Sequence, residues 1–74
     1  LAVHPQHAAA HHFLGAALLQ QGQFEAGCES MRHSVALLPL HASWFENLAH
    51  AERAAGHEEA ANQAMQCAAR LKGD

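Results

Sequence analysis

Residues 14–39 read LGAALLQQGQFEAGCESMRHSVALLP. Gly22 divides this stretch. After it, Phe24, Cys28, Met31, Val35 and Leu38 recur at spacings of four and three, which sets them on one stripe of a helix over 23–38. Before it, His11, Leu14, Gly15 and Leu18 recur at three and four, one face of a helix over 7–21. Gly22 stands where a left-handed C-terminal cap is wanted. Glu25 follows in the next first turn, where the helix dipole favours negative charge. A connection this short turns the second helix back on the first as an antiparallel hairpin.

The same arrangement follows downstream. Trp44, Phe45, Leu48 and Ala51 belong to a third helix over 43–55. Ala61, Met65, Ala68 and Leu71 belong to a fourth over 57–72. Gly56 caps the third as Gly22 caps the first. Glu58 and Glu59 fall in a first turn, and Arg53, Arg70 and Lys72 in last turns, as the dipole prefers. Ser43 followed by Glu46 reads as a capping box. Strand signals are nearly absent: Val3 and Val35 are the only valines, and isoleucine, threonine and tyrosine are missing. The fold class expected is all-α.

Shifting the sequence by 34 overlays the two halves. Ala8 falls on Ala42, Leu14 on Leu48, Ala17 on Ala51, Gly22 on Gly56, Glu25 on Glu59, Ala26 on Ala60, Met31 on Met65 and Leu37 on Leu71. Helix-turn-helix units of this period are the signature of tetratricopeptide repeats, and the chain resembles that family throughout. His11, Leu14, Gly15 and Leu18 match the opening of its pattern. Gly27, Met31 and Pro39 fill its later small, aromatic and proline positions. Residues 21–26 resemble its inter-helix turn. Phe45, Leu48, Ala49, Ala61 and Met65 match in the second unit, while Glu52 and Glu58 depart from it by standing where large apolar residues are usual. The resemblance divides the chain into the tail of a preceding unit (1–7), one repeat (8–41) and a second (42–74). It implies antiparallel helical hairpins stacked as a tetratricopeptide-type α-solenoid fragment. Gly15, Gly27 and Ser34, with Ala49, Ala61 and Ala68, are small where two backbones approach.

Size and charge limit the function. A chain of 74 residues forms at most one small domain, which buries only about 60% of its unfolded surface. A net charge of −3 argues against a nucleic-acid surface, which needs a basic stripe. No apolar run approaches the roughly 20 residues of a membrane span. Two cysteines, Cys28 and Cys67, make no disulfide framework, and a reducing, cytoplasmic setting is expected. No catalytic order of nucleophile, histidine and carboxylate stands out, so an enzyme is not expected and no cofactor is assigned. His7 and His11 lie one turn apart with His4 and His12 nearby, and paired histidines can hold zinc or nickel. Neither carboxylate nor cysteine joins them within the first 24 residues, so they read as a histidine-rich surface and no metal is assigned.

The resemblance implies a concave groove, lined by the first helix of each hairpin, that holds a peptide or protein segment. Its lining would be Ala9, His12, Ala16, Leu19 and Gln20, then Ser43, Glu46, Asn47, His50 and Arg53. Glu46, His50 and Arg53 share a helix face. His12, Leu19, Glu46, Asn47, His50 and Arg53 are the candidate peptide-binding residues. Of the lysines and asparagines with which some such domains clamp a C-terminal carboxylate, only Asn47 is matched; His12 and Ala16 stand where a lysine and an asparagine are expected. Asn47 before Leu48 is similar to the asparagine ladder of repeats attached to some protein glycosyltransferases. A substrate-presenting appendage of such an enzyme is the alternative, and an oligomerisation module a further one. About three repeats normally make a stable array, and Leu1 and Val3 hint at a helix that would cover the first. Self-association is therefore expected, as a homo-oligomer or a helix-swapped dimer. Asn62, Gln63 and Gln66 make the fourth helix polar, as a capping unit should be.

Overall fold

A computed structural model describes residues 5–73. Four helices follow one another: α1 (Pro5–Gln20), α2 (Phe24–Leu37), α3 (Ala42–Ala54) and α4 (Glu58–Leu71). Among the described residues all regular structure is helical. The α1 helix packs on α2, α3 on α4, and α2 on α3. Two hairpins thus meet through the middle helices.

The first helix begins two residues earlier than its periodicity predicts. Proline in a first turn forfeits no hydrogen bond, because the leading N–H groups of a helix have no intrahelical partner. Gln6 and His7, read from sequence as the tail of a preceding unit, therefore belong to α1. Leu1 and Val3 lie outside the described residues.

The two turns are built alike. Gly22 and Gly56 take φ of 81° and 87°. Around Gly22 its own N–H donates to the Leu19 carbonyl at 3.0 Å, and the Gln23 N–H to that of Leu18 at 2.9 Å. Around Gly56 its N–H donates to Arg53 at 3.0 Å, and the His57 N–H to Glu52 at 2.7 Å. This crossed pair is the Schellman closure of a helix end, which satisfies carbonyls the helix leaves open. Each bond in the first turn has its counterpart 34 residues on.

Small residues set the helix spacing within hairpins. A Cβ added to Gly15 would lie 2.9 Å from the Gly27 carbonyl oxygen, and one added to Gly27 would lie 3.0 Å from that of Gly15. Ala49 and Ala61 hold the corresponding places in the second hairpin and are fully buried. Ser34 is fully buried too, its hydroxyl donating to the Met31 carbonyl at 2.8 Å.

The rest of the core is thin and alanine-rich. Ala8, Cys28, Met31, Val35, Leu48, Ala51, Ala64 and Ala68 complete it, with Leu19, Trp44 and Phe45 packed at its margin. Comparing 34-residue mates explains several apolar exposures. Cys28, Met31 and Val35 are buried, whereas Asn62, Met65 and Ala69 are exposed. Leu48 is 6% exposed but its mate Leu14 is 50% exposed. The first set lies at the junction of the hairpins; the second set lies on their outer sides.

The capping box does not form. Helix α3 starts at Ala42, with His41 at its N-cap and no side-chain cap. Ser43 is already inside the helix, and Glu46 pairs with Lys72 at the far end of α4. Leu14 and Met65, expected to pack, are exposed, as are Phe13, Phe24 and Leu71.

Candidate functional site

Among the described residues the largest side chain fully withdrawn from solvent is a carboxylate, Glu52. Its place on the chain explains its surroundings. Glu52 and His57 flank the Schellman turn at the two positions that usually make an apolar contact. Here they make a polar one: His57 Nδ1 stands 2.8 Å from Glu52 Oε1. In the first hairpin the same positions hold Leu18 and Gln23.

Helix α2 supplies the remaining groups. Cys28 and Arg32 lie one turn apart on it, facing α3. Arg32 donates through Nε to Glu52 Oε2 at 2.7 Å and through Nη2 to Oε1 at 2.8 Å. This bidentate fork is the strongest geometry for a guanidinium and a carboxylate. Arg32 remains 47% exposed, so the buried charge is that of Glu52. From the first turn of α2, Glu25 Oε2 meets His57 Nε2 at 2.9 Å. The thiol of Cys28 is fully buried beside Glu52.

Each partner shifts the proton affinity of the others. The hydrogen bonds from Arg32 hold the Glu52 carboxyl down at about 2, against a burial that alone would raise it. His57 is raised, chiefly by its hydrogen bond to Glu52 and also by Glu25. Burial, reinforced by Glu52, pushes the Cys28 thiol up to about 11. A thiol held protonated in this way is a poor nucleophile. The cluster thus joins α2, α3 and the start of α4, tying one hairpin to the other with charge.

The groove residues inferred from the repeat pattern are dispersed. Asn47, His50 and Arg53 are exposed on α3, and Leu19 is half-buried against Gly27. Arg53 is paired with Glu58 at 3.1 Å, and Glu46 with Lys72. His12 is buried. Its ring stacks on Trp44 with centroids 4.8 Å apart, and its Nε2 meets Asn47 Nδ2 at 3.3 Å. His12 Nδ1 has no hydrogen-bond partner. His11 stacks on His33 of α2 with ring centroids 5.4 Å apart.

The sequence flagged Glu52 as out of pattern but did not give it a partner. A usable signal was present: an acid and a histidine five apart, straddling a capping glycine. Comparison with protein-family profiles, curated proteins and solved structures finds no match.

His12 gives a pH prediction. Burial first, and His41 second, lower its affinity for a proton below the ordinary value of 6.5. The unfolded chain protonates at the ordinary value. Below about pH 6.5 the unfolded state therefore takes up the proton first, and this residue's contribution falls with falling pH. Replacing it by phenylalanine keeps the stack on Trp44 and removes an unpaired buried nitrogen. His12→Phe is expected to match or exceed the parent by about 1 kcal/mol at neutral pH. The gap should widen on acidification, as read by urea unfolding at several pH values. A constant gap would show that His12 protonates equally well in both states.

Proposed function

We propose that the chain is a tetratricopeptide-type module acting as a non-catalytic protein-interaction scaffold. One observation carries this reading: the two hairpins repeat at 34 residues in their turn hydrogen bonds and in the small residues between helices. In such a stack the first helices, α1 and α3, form a shallow groove. The buried His12–Trp44 contact joins these two helices and lies at its base. Asn47, His50 and Arg53 remain exposed beside it and bind a peptide by charge and hydrogen bonding.

The outer faces favour association between copies. Phe13 is 68% exposed and Leu14 50% exposed on α1. Leu14 is the mate of Leu48, which the neighbouring hairpin buries. A second copy covers the α1 face in the same manner, giving a homo-oligomer. No helix among the described residues is long and apolar enough to cross a membrane. Both cysteines are free thiols, which supports a reducing cytoplasmic setting.

Two measurements separate these roles. Sedimentation over a concentration series should show association that Leu14→Glu abolishes and His50→Ala leaves intact. A concentration-independent monomer would remove the oligomer from the proposal. Peptides selected from a displayed random library should lose binding to the double variant His50→Ala, Arg53→Ala while its thermal melt stays that of the parent. Selected peptides that bind the double variant undiminished would reject the groove.

A further inference from the structure

We infer that Cys28, Glu52 and His57 form a binding site for a divalent transition metal of the zinc class. One ligand atom from each of the three lies within 4.8 Å of the other two. The donor set is sulfur, imidazole nitrogen and carboxylate oxygen, the set zinc takes in proteins. A tetrahedral ion needs its ligand atoms about 3.5 Å apart. Closing to that spacing takes side-chain movement; the Gly56 turn fixes Glu52 and His57 relative to one another, and the Arg32–Glu52 pair holds α2 beside them.

The outer contacts have the polarity such a site needs. A histidine that binds metal through one nitrogen regularly donates its other N–H to a carboxylate, which fixes the tautomer. His57 already presents Nε2 to Glu25 Oε2 at 2.9 Å. Its Nδ1 is left to face Glu52 Oε1, at 2.8 Å. Arg32 holds the opposite oxygen, Oε2, through Nε at 2.7 Å. A metal at Oε1 displaces the contacts of that oxygen with Arg32 Nη2 and His57 Nδ1, and Arg32 Nη2, which also lies 3.4 Å from His57 Nδ1, turns to water. The carboxylate then binds through one oxygen. Metal ligation needs the Cys28 thiolate and an unprotonated His57 Nδ1, so binding releases protons and is pH-dependent.

Three protein ligands leave a fourth position to water. The His57 side chain is 33% exposed, which opens that position to solvent. Because the ligands come from α2, α3 and the start of α4, a bound ion clamps the two hairpins together. This site is independent of the groove and of any peptide bound there.

Cobalt(II) titration of the whole chain tests the assignment, because a cobalt–thiolate bond has its own charge-transfer band. The expected result is that band together with intense tetrahedral ligand-field bands, both reversed by zinc. Cys28→Ser should abolish the charge-transfer band. His57→Gln and the exposed-site variant Glu25→Gln, neither of which empties the core, should weaken zinc binding, the latter by about 10–100-fold. A spectrum without thiolate character overturns the assignment. So does undiminished binding in His57→Gln, or binding that disappears with His7→Ala and His11→Ala, which would mark a surface histidine site.

Discussion

Gly15→Leu is expected to force α1 away from α2 and to cost on the order of 3 kcal/mol or more through overpacking. A chain of this size has about 4–11 kcal/mol in total, so the loss is a large fraction of it. The contact leaves no slack. Even a bare Cβ at Gly15 would lie 2.6 Å from Met31 Cγ and 2.9 Å from the Gly27 carbonyl oxygen. The carbonyl belongs to the facing backbone and cannot rotate away. Gly15→Ala therefore should also destabilise, although alanine in a helix is intrinsically better than glycine by about 1 kcal/mol. Ala17→Gln, on the exposed side of the same helix, should stay within about 0.5 kcal/mol of the parent. Urea unfolding of the three variants reads these differences. If Gly15→Leu unfolds with the parent, α1 and α2 do not meet at these glycines.

The glycines were legible in the sequence because backbone geometry dictates them. Gly22 and Gly56 need positive φ, and no packing context changes that requirement. The four helices were legible for a related reason: breakers and dipole-matched charges mark their ends. Burial on α1 was not legible. That helix is apolar on nearly all sides, so periodicity does not choose its inner face. His12, expected in an open groove, is buried against Trp44, while Leu14, expected inside, is half exposed. The Ser43–Glu46 box failed through competition. Glu46 has Lys72 within reach across the hairpin, and α3 starts two residues too early for Ser43 to cap it. The buried cluster lay further from view. Glu52 stood out as an acid at an apolar position, but Arg32 lies 20 residues away on another helix. Only the stacking of α2 on α3 brings the two together.

That pair is also where loss of one side chain should differ most from loss of the other. Arg32→Ala removes the exposed partner and leaves the Glu52 carboxylate buried. Breaking a fully buried pair costs about 3–5 kcal/mol. Arg32 is half exposed, and His57 still donates to Glu52, so the expected loss is about 2–3 kcal/mol. Glu52→Leu removes the buried charge itself and fills the space with an apolar side chain. The freed Arg32 returns to water, and the expected loss is under about 1 kcal/mol, or a slight gain. The pH profile of Arg32→Ala should then be governed by His57. Its proton affinity is raised in the folded state above the ordinary value of 6.5, chiefly through Glu52. The stability it contributes is fully present below that value and is lost as pH rises through the folded-state value. With Arg32 gone, His57 is the one cation left against Glu52 in the cluster. The variant should therefore lie nearest the parent in mild acid and fall away from it towards alkaline pH. Glu52→Leu should show no such divergence. Chemical denaturation of both variants at several pH values decides the matter. Equal losses from the two substitutions would mean that the carboxylate does not depend on Arg32 for its burial.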